Sequence, residues 1–399
     1  MLSHYQTIDG QHRVHLALRL ILLVFAATNR GLTSAFPIFN QTSRDFGICG
    51  NTPTAPTDDK YIDPELQRSE LEATRANLQA LRDKKILVRL NLVYDATIEE
   101  RYGRSEGVLS YLRQFIHSTQ LVFEQRELDI GIEFVVVSAR KSRQNFNWNL
   151  ATGQILEQFT LGPDVNKNNA DLDVLLLGRS MWRSAANSKP RGMAGVLGLA
   201  NVGTFCREFR NNTLVVDALT LGHYRTLAHE LAHAFNCMHD SEPGRFERYC
   251  SGQEFIMSPS AGPLRTRWSK CSKECLLNYF ALPEVYECIF NSERISAIVP
   301  FRDDFDFRRT NSNPNRDKLP GELLDVDLQC KYASDDTAKS AQTVTGKNGY
   351  LPYSVCNELT CRVAEMEYQI GQATPGSTCN IIVGGKIVTG KCFEGRCDA

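Results

Sequence analysis

Thr226-Leu227-Ala228-His229-Glu230-Leu231-Ala232-His233-Ala234-Phe235-Asn236-Cys237-Met238-His239-Asp240 decides how the rest of the chain is read. Four of the eight histidines fall between positions 223 and 239. On a helix, residues i and i+4 stand one above the other on the same face. His229 and His233 therefore grip one point from one side. A third ligand needs a chain reversal. Asn236 sits where that reversal would occur, and Asn enters the left-handed region cheaply. His239 then swings back towards the same point. Three neutral imidazoles leave a fourth tetrahedral position open for water, the arrangement of a catalytic zinc.

Glu230 supplies the other half of the chemistry. Zinc lowers the pKa of a bound water from about 15.7 to about 7. A neighbouring carboxylate takes the proton as the water attacks a carbonyl, then delivers it to the leaving amine. That reaction is peptide-bond hydrolysis. The blander reading is an ordinary amphipathic helix, since Leu227, Leu231, Ala234, Phe235 and Met238 form an apolar stripe at helical spacing. The stripe explains the helix but not the histidines, which lie off it.

The pattern His229-Glu230-x-x-His233-x-x-Asn236-x-x-His239-Asp240 resembles the metzincin zinc signature, and the Asp after the third His points to the adamalysin (reprolysin) branch. Asn236, where most metzincins have Gly, is similar to the ADAMTS subgroup. Phe255-Ile256-Met257-Ser258 resembles the family's Met-turn, with Met257 beneath the metal. Gly195 to Cys206 resembles its edge strand, which implies that Gly198, Leu199, Ala200 and Asn201 pair with substrate backbone. Ser258 and Pro259, in the stretch to Ala261, would border the pocket for the residue after the scissile bond. Trp268-Ser-Lys-Cys271-Ser272 resembles the start of the family's last catalytic helix.

Length and composition bound the rest. The 399 residues, 42% hydrophobic, suit two or three folded units. A formal net charge of −1 gives no reason to expect nucleic acid or anionic membrane as a partner. Residues 1–35 read as a signal peptide: Arg13 and Arg19 precede the apolar run Leu20–Ala27, and Thr33-Ser34-Ala35 offers small residues for cleavage. The long, polar start keeps an uncleaved anchor open as the alternative. Thirteen cysteines and sequons at Asn40 and Asn211 agree with a secreted, disulfide-bonded glycoprotein. Residues 36–85 read as a short pro-segment, with a short helix within Leu66–Leu81 and a candidate processing site at Arg82-Asp-Lys-Lys85 for an activating protease.

The catalytic domain is expected over 86–292, as α+β: a mixed twisted sheet backed by helices, with the zinc helix on it, followed by a small disulfide-rich module. Ile86–Tyr94, Gly131–Val137 and Asp173–Leu177 read as strands, Val108–Phe123 as a helix, and Arg140–Asn149 as a loop in which Trp148 is anchored core. Residues 293–318, rich in Arg, Asp and Asn, read as a linker. From Leu319-Pro320-Gly321 onward, Cys356-x4-Cys361, Pro375-Gly376-x-x-Cys379 and Cys392-x4-Cys397 resemble the disintegrin-like module of ADAMTS over 319–399. A generic disulfide scaffold is the plainer alternative. No thrombospondin-type Trp motif follows, and no Arg-Gly-Asp supports integrin binding.

Six cysteines lie in the protease region, six follow, and Cys49 is left over. Sequence alone allows 15 pairings of six. The resemblance implies Cys206–Cys288, Cys250–Cys271 and Cys237–Cys275. It also implies that Cys49, within Gly47-Ile-Cys49-Gly50, is a cysteine switch whose thiolate closes the open metal position until the pro-segment is cut away. The family's structural calcium site needs carboxylates where this chain has Arg89 and Asn291, so calcium is expected to be absent or weakly bound.

The reading is a secreted zinc endopeptidase acting on extracellular proteins or peptides. Three rivals stand beside it. One is a zincin exopeptidase with Glu254 as third ligand. Another is a non-proteolytic extracellular binding protein acting through the disintegrin-like module. The third is a zinc-stabilised structural domain, which the open coordination position disfavours.

Overall fold

A computed structural model describes residues 64–399 apart from 104–105, 148–149, 166–169, 180, 182–195, 207–211, 241–249, 251–254, 260–264, 309–316, 335–336 and 342–354. Helix α1 (Pro64–Ala80) leads into strand β1 (Lys85–Tyr94), then α2 (Ala96–Tyr102), α3 (Glu106–Phe123), β2 (Gly131–Lys141), α4 (Thr152–Leu161), β3 (Leu172–Leu177), β4 (Gly198–Ala200), β5 (Thr213–Asp217) and α5 (Tyr224–Ala234). Helices α6 (Lys270–Ala281), α7 (Pro283–Ile289) and α8 (Ser292–Ser296) follow. The five strands form one sheet in the order β2-β1-β3-β5-β4. Its pairings are parallel except the last, where β4 runs antiparallel to β5 at the edge.

The sheet is covered on both faces, and the strands read accordingly. All six residues of β3, Leu-Asp-Val-Leu-Leu-Leu, are buried. Alternate side chains point to opposite faces. Val174 and Leu176 enter the main core with Val88, Leu90, Phe115, Phe123, Leu227, Leu231 and Trp268. Leu175 and Leu177 join Val93, Val215, Ile155, Leu156 and Phe159 beneath α4. The architecture is the α+β one expected, and α5 lies against the sheet end of β5 and β4, where its polar side meets the open edge.

Two segments differ from their sequence reading. Strand β2 continues to Lys141, with Arg140 and Lys141 paired to Val93 and Tyr94, so the loop starts later than Arg140. Polar side chains misled there, because one face of the strand's end is solvated. The connector after Asn291 is also not a loose linker over its described part. Phe301 N donates to Val136 O (2.7 Å), Phe307 N donates to Phe134 O (3.2 Å), and Val135 bridges Asp306. Phe305 and Phe307 are buried. The segment satisfies the otherwise unpaired edge of β2, a role invisible in its charged composition. Upstream, α1 docks on the same body: Asn77 Nδ2 donates to Ala281 O at 3.0 Å, and Leu78 packs on the core.

The C-terminal module carries α9 (Pro320–Leu323), α10 (Val326–Ala333) and two small sheets, β6 (Lys339–Ser340), β7 (Thr360–Val363) and β8 (Met366–Gln369), then β9 (Thr378–Val383), β10 (Lys386–Phe393) and β11 (Arg396–Asp398). Its cystines are Cys330–Cys361, Cys356–Cys392 and Cys379–Cys397. It docks on the body just before α5. Thr220 Oγ1 donates to Ile370 O (3.0 Å), Arg101 Nη1 donates to Tyr332 O and Ala333 O, and Tyr332 meets Tyr102 edge-on. A Cβ on Gly222 would lie 2.8 Å from Ile370 O, so the two backbones touch where glycine allows it.

Candidate metal centre and catalytic site

Helix α5 is wholly buried, anchored by Leu227 and Leu231 in the core, and this leaves His229 and His233 on the opposite side. It ends at Ala234. Asn236 then takes φ 67°, its N donates to His233 O (2.8 Å), and Cys237 N donates to Ala232 O (2.9 Å). That left-handed step turns the chain so that His239 faces the helix pair. His229 Nε2 lies 3.0 Å from His233 Nε2 and 3.2 Å from His239 Nε2.

The donor chemistry fits a cation at the point where these nitrogens meet. His233 Nδ1 donates to Cys237 O (2.6 Å), and His229 Nδ1 faces Ile256 O (2.7 Å). A carbonyl only accepts, so the His233 contact places that ring's proton on Nδ1 and leaves a lone pair on its Nε2. Ring nitrogens 3.0 and 3.2 Å apart offer one positive ion a common point of attachment. Backbone carbonyls behind metal-bound histidines fix ring tautomer and direction in the same way. Burial holds His229 well below the usual imidazole range and His233 at about 3, so both rings stay neutral and able to ligate.

Glu230 is 3% exposed, and its Oε2 has no hydrogen-bond partner among the described residues. Its carboxyl lies against the edge strand. A Cβ on Gly198 would sit 2.5 Å from Glu230 Oε1. Burial pushes the Glu230 carboxyl up to about 8, while the Arg265 guanidinium pulls the other way.

The surrounding supports come from three directions. Met257 is fully buried, and Ile256 N donates to Arg267 O (2.8 Å). Asp240 N donates to Met257 O (3.0 Å), and Asp240 Oδ1 accepts from Ser269 Oγ (2.7 Å) and Ser272 Oγ (3.2 Å). The third His is thus tied to the start of α6. Cystines Cys206–Cys288, Cys237–Cys275 and Cys250–Cys271 fasten the loops around the site to α6 and α7. Of the substrate candidates, Gly198, Leu199 and Ala200 form β4, Asn201 follows it, Ser258 is buried and Pro259 exposed. Residues 1–35, Asn40, Cys49, Trp148, Gly195, Asn211 and Glu254 lie outside the described residues. Among the described residues no helix is long and apolar enough to cross a membrane.

Several supports escaped the sequence reading. Gly203 N donates to His233 O (2.9 Å), and Thr204 N and Phe205 N both donate to Ala234 O. The stretch after the edge strand therefore caps the metal helix. Gly203 has φ 63°, and a Cβ there would lie 2.5 Å from Asn236 Oδ1. The isolated glycine was the available signal. Arg265, 8% exposed, donates Nε (3.1 Å) and Nη2 (2.7 Å) to Ile256 O, with Nη2 2.6 Å from His229 Nδ1. No local pattern marks it.

Arg89, expected where the family has a calcium carboxylate, is paired with an acidic side chain. Asp171 accepts from Arg89 Nε (3.1 Å) and Nη2 (2.8 Å), and from Arg294 Nε (3.1 Å) and Nη2 (2.5 Å). Arg294 Nη2 also donates to Leu87 O, and Nη1 to Ile289 O. Asn291 Oδ1 accepts from Arg294 N, capping α8. A guanidinium stands between the first strand and the segment after Cys288.

Comparison with known families places this geometry. Residues 84–269 match Reprolysin_5, described as metallo-peptidase family M12. Over most of its length the chain is similar to ADAMTS proteins, at low identity. It is 26% identical over 315 residues to mouse "A disintegrin and metalloproteinase with thrombospondin motifs 18", covering 77% of this chain and 23% of that protein. It is 25% identical over 363 residues to the human protein of the same name, covering 88% and 27%. With mouse "A disintegrin and metalloproteinase with thrombospondin motifs 16" the identity is 23% over 342 residues, covering 82% and 25%. The chain spans about a quarter of the length of these curated relatives.

Proposed function

We propose that this chain is a secreted zinc endopeptidase that cleaves extracellular proteins or peptides, with His229, His233 and His239 as metal ligands and Glu230 as general base and acid. One observation carries the reading: a buried carboxylate with an unpartnered oxygen stands beside three convergent imidazoles and against the edge strand. A substrate in extended form adds to β4 through its backbone, a mode that accepts the interior of a chain. When bound, zinc supplies a Lewis acid that polarises the scissile carbonyl and acidifies water. Glu230 takes the proton of the attacking water on its free oxygen and returns it to the leaving amine. Gly198 gives this carboxyl room: a side chain there would occupy the space of Oε1. Asp240 and Met257 hold His239 and the underlying turn in place, and the Nδ1 contacts keep the ligand nitrogens directed inward.

The test is Glu230→Gln, measured for both zinc content and turnover of a casein-type or peptide substrate. Turnover is expected to fall by roughly 10²–10⁴-fold, the usual contribution of general acid–base catalysis, with one zinc per chain retained. Near-normal turnover, or loss of zinc, would remove Glu230 from that role.

A further inference from the structure

Two buried guanidiniums stand beside the site, and one of them keeps donors without a partner. Arg265 is occupied by the Ile256 carbonyl. Arg225 is not. It precedes His229 by one helical turn on the same face of α5, is 6% exposed, and buries Nε and Nη1 without a hydrogen-bond partner among the described residues. Its Cζ lies 5.2 Å from the Tyr224 ring centre. The carboxylate whose charge bears on it, Glu394 of the C-terminal module, is already paired with Arg396 (3.3 Å). The carboxylate that bears on Arg265 is Glu230. Arg225 and Arg265 are near enough for each charge to act on the other. Glu230 therefore offsets Arg265, while the carboxylate that bears on Arg225 is already paired.

Unpaired buried charge is costly, and it persists where a ligand supplies the partner. The place of these cations says which ligand. Arg265 holds the turn at Ile256, two residues before Ser258, and Arg225 lies one turn along from the first histidine. On the endopeptidase reading, a substrate strand added to β4 with its scissile carbonyl at the histidines would send its next side chain between α5 and the 256–259 turn. We propose that Arg225, reinforced by the field of Arg265, makes this subsite select an acidic side chain, Glu or Asp, immediately after the scissile bond. The inference rests on the endopeptidase reading. Arg225 is a specificity-determining residue, offering a charged donor to a carboxylate.

The experiment uses the zinc-loaded full chain and peptides that differ only in the residue after the cleaved bond: Glu, Gln, Leu or Lys. The Glu peptide is expected to exceed its neutral isostere Gln in kcat/KM by at least about tenfold, the size of one hydrogen bond to a charged group, with Lys poorest. In Arg225→Met the Glu-to-Gln ratio is expected to fall to about one while the Leu peptide gains. Equal or lower kcat/KM for Glu than for Gln in the unmodified enzyme overturns the proposal, whether or not the Arg225→Met protein folds. So does an unchanged ratio in the variant. If no peptide is cleaved at all, the endopeptidase reading has failed separately. Calorimetric binding of the Glu and Gln peptides to zinc-loaded Glu230→Gln protein then decides: tighter Glu binding that Arg225→Met abolishes supports the anionic subsite, and equal binding removes it.

Discussion

The body from Lys85 to Ile289 and the module from Val326 to Asp398 stay folded for different physical reasons. The body buries Trp268, Tyr111, Tyr224 and a run of phenylalanines in one continuous core. Its cystines lie around the site and tie loops to helices. In the module, five of the ten core residues are cysteines: Cys330, Cys356, Cys361, Cys379 and Cys392. Its last hairpin leaves Ile382, Val383, Ile387 and Phe393 exposed. A chain segment this short cannot bury enough apolar surface to offset its conformational entropy, and cross-links do part of that work. The difference teaches where geometry for catalysis can be stored. A site needing sub-ångström order sits on elements packed by a core, and the cross-linked module serves as an attachment.

The sharpest way to break this comparison is to remove cross-links. Cys356→Ser with Cys392→Ser is expected to cost the module about 2–5 kcal/mol, enough to open it. Hydrogen exchange should show the amides of β9 and β10 losing protection while those of β1, β3 and β5 keep theirs. Simultaneous loss in both regions would mean that the body depends on the module, contrary to the two-core picture.

The second attack is on the body at its main charged support. Asp171→Asn leaves Arg89 and Arg294 facing each other with their carboxylate gone, and should cost about 3–5 kcal/mol, as broken buried ion pairs do. Because a guanidinium already holds this place, a calcium-selective chelator should leave the melting temperature of the unmodified protein unchanged. A fall in Tm on calcium removal, restored by adding calcium, would show that Arg294 does not stand in for the ion.

The smallest expected effect is local to the site. Asn236→Ala puts an ordinary side chain at φ 67° and should cost about 1–2 kcal/mol, with weaker zinc binding through a displaced His239. Asn236→Gly relieves the backbone and should stay within about 1 kcal/mol of the parent. If both variants bind zinc equally and melt alike, the left-handed step is not what places the third histidine.

Much of the site was legible because it is local. The i, i+4 spacing of His229 and His233, the residue suited to a left-handed step at Asn236, and the return to His239 all follow from local chain geometry within one short stretch. The apolar β-branched runs that became β1, β2 and β3 were legible for the same reason, although solvated ends hid the extent of β2. What was illegible is long-range. Phe301, Phe305 and Phe307 lie among Arg and Asp, and only the open edge of β2 explains them. No local pattern marks Arg265 and Arg225, which packing buries.

The sequence by itself determined which atoms meet at the metal site, because neighbours along a helix have no choice of relative position. It also determined that the sheet would be covered on both faces, since every residue of β3 but Asp173 is apolar. The tertiary structure alone decided what surrounds those atoms. Ile256 O stands behind His229 from 27 residues away, Gly203 and Thr204 cap the helix from well upstream, and Arg294 reaches Asp171 across 123. Such partners are selected by the shape of a packed core and by the cost of leaving buried polar groups unpaired. Neither quantity is written in a window of neighbouring residues.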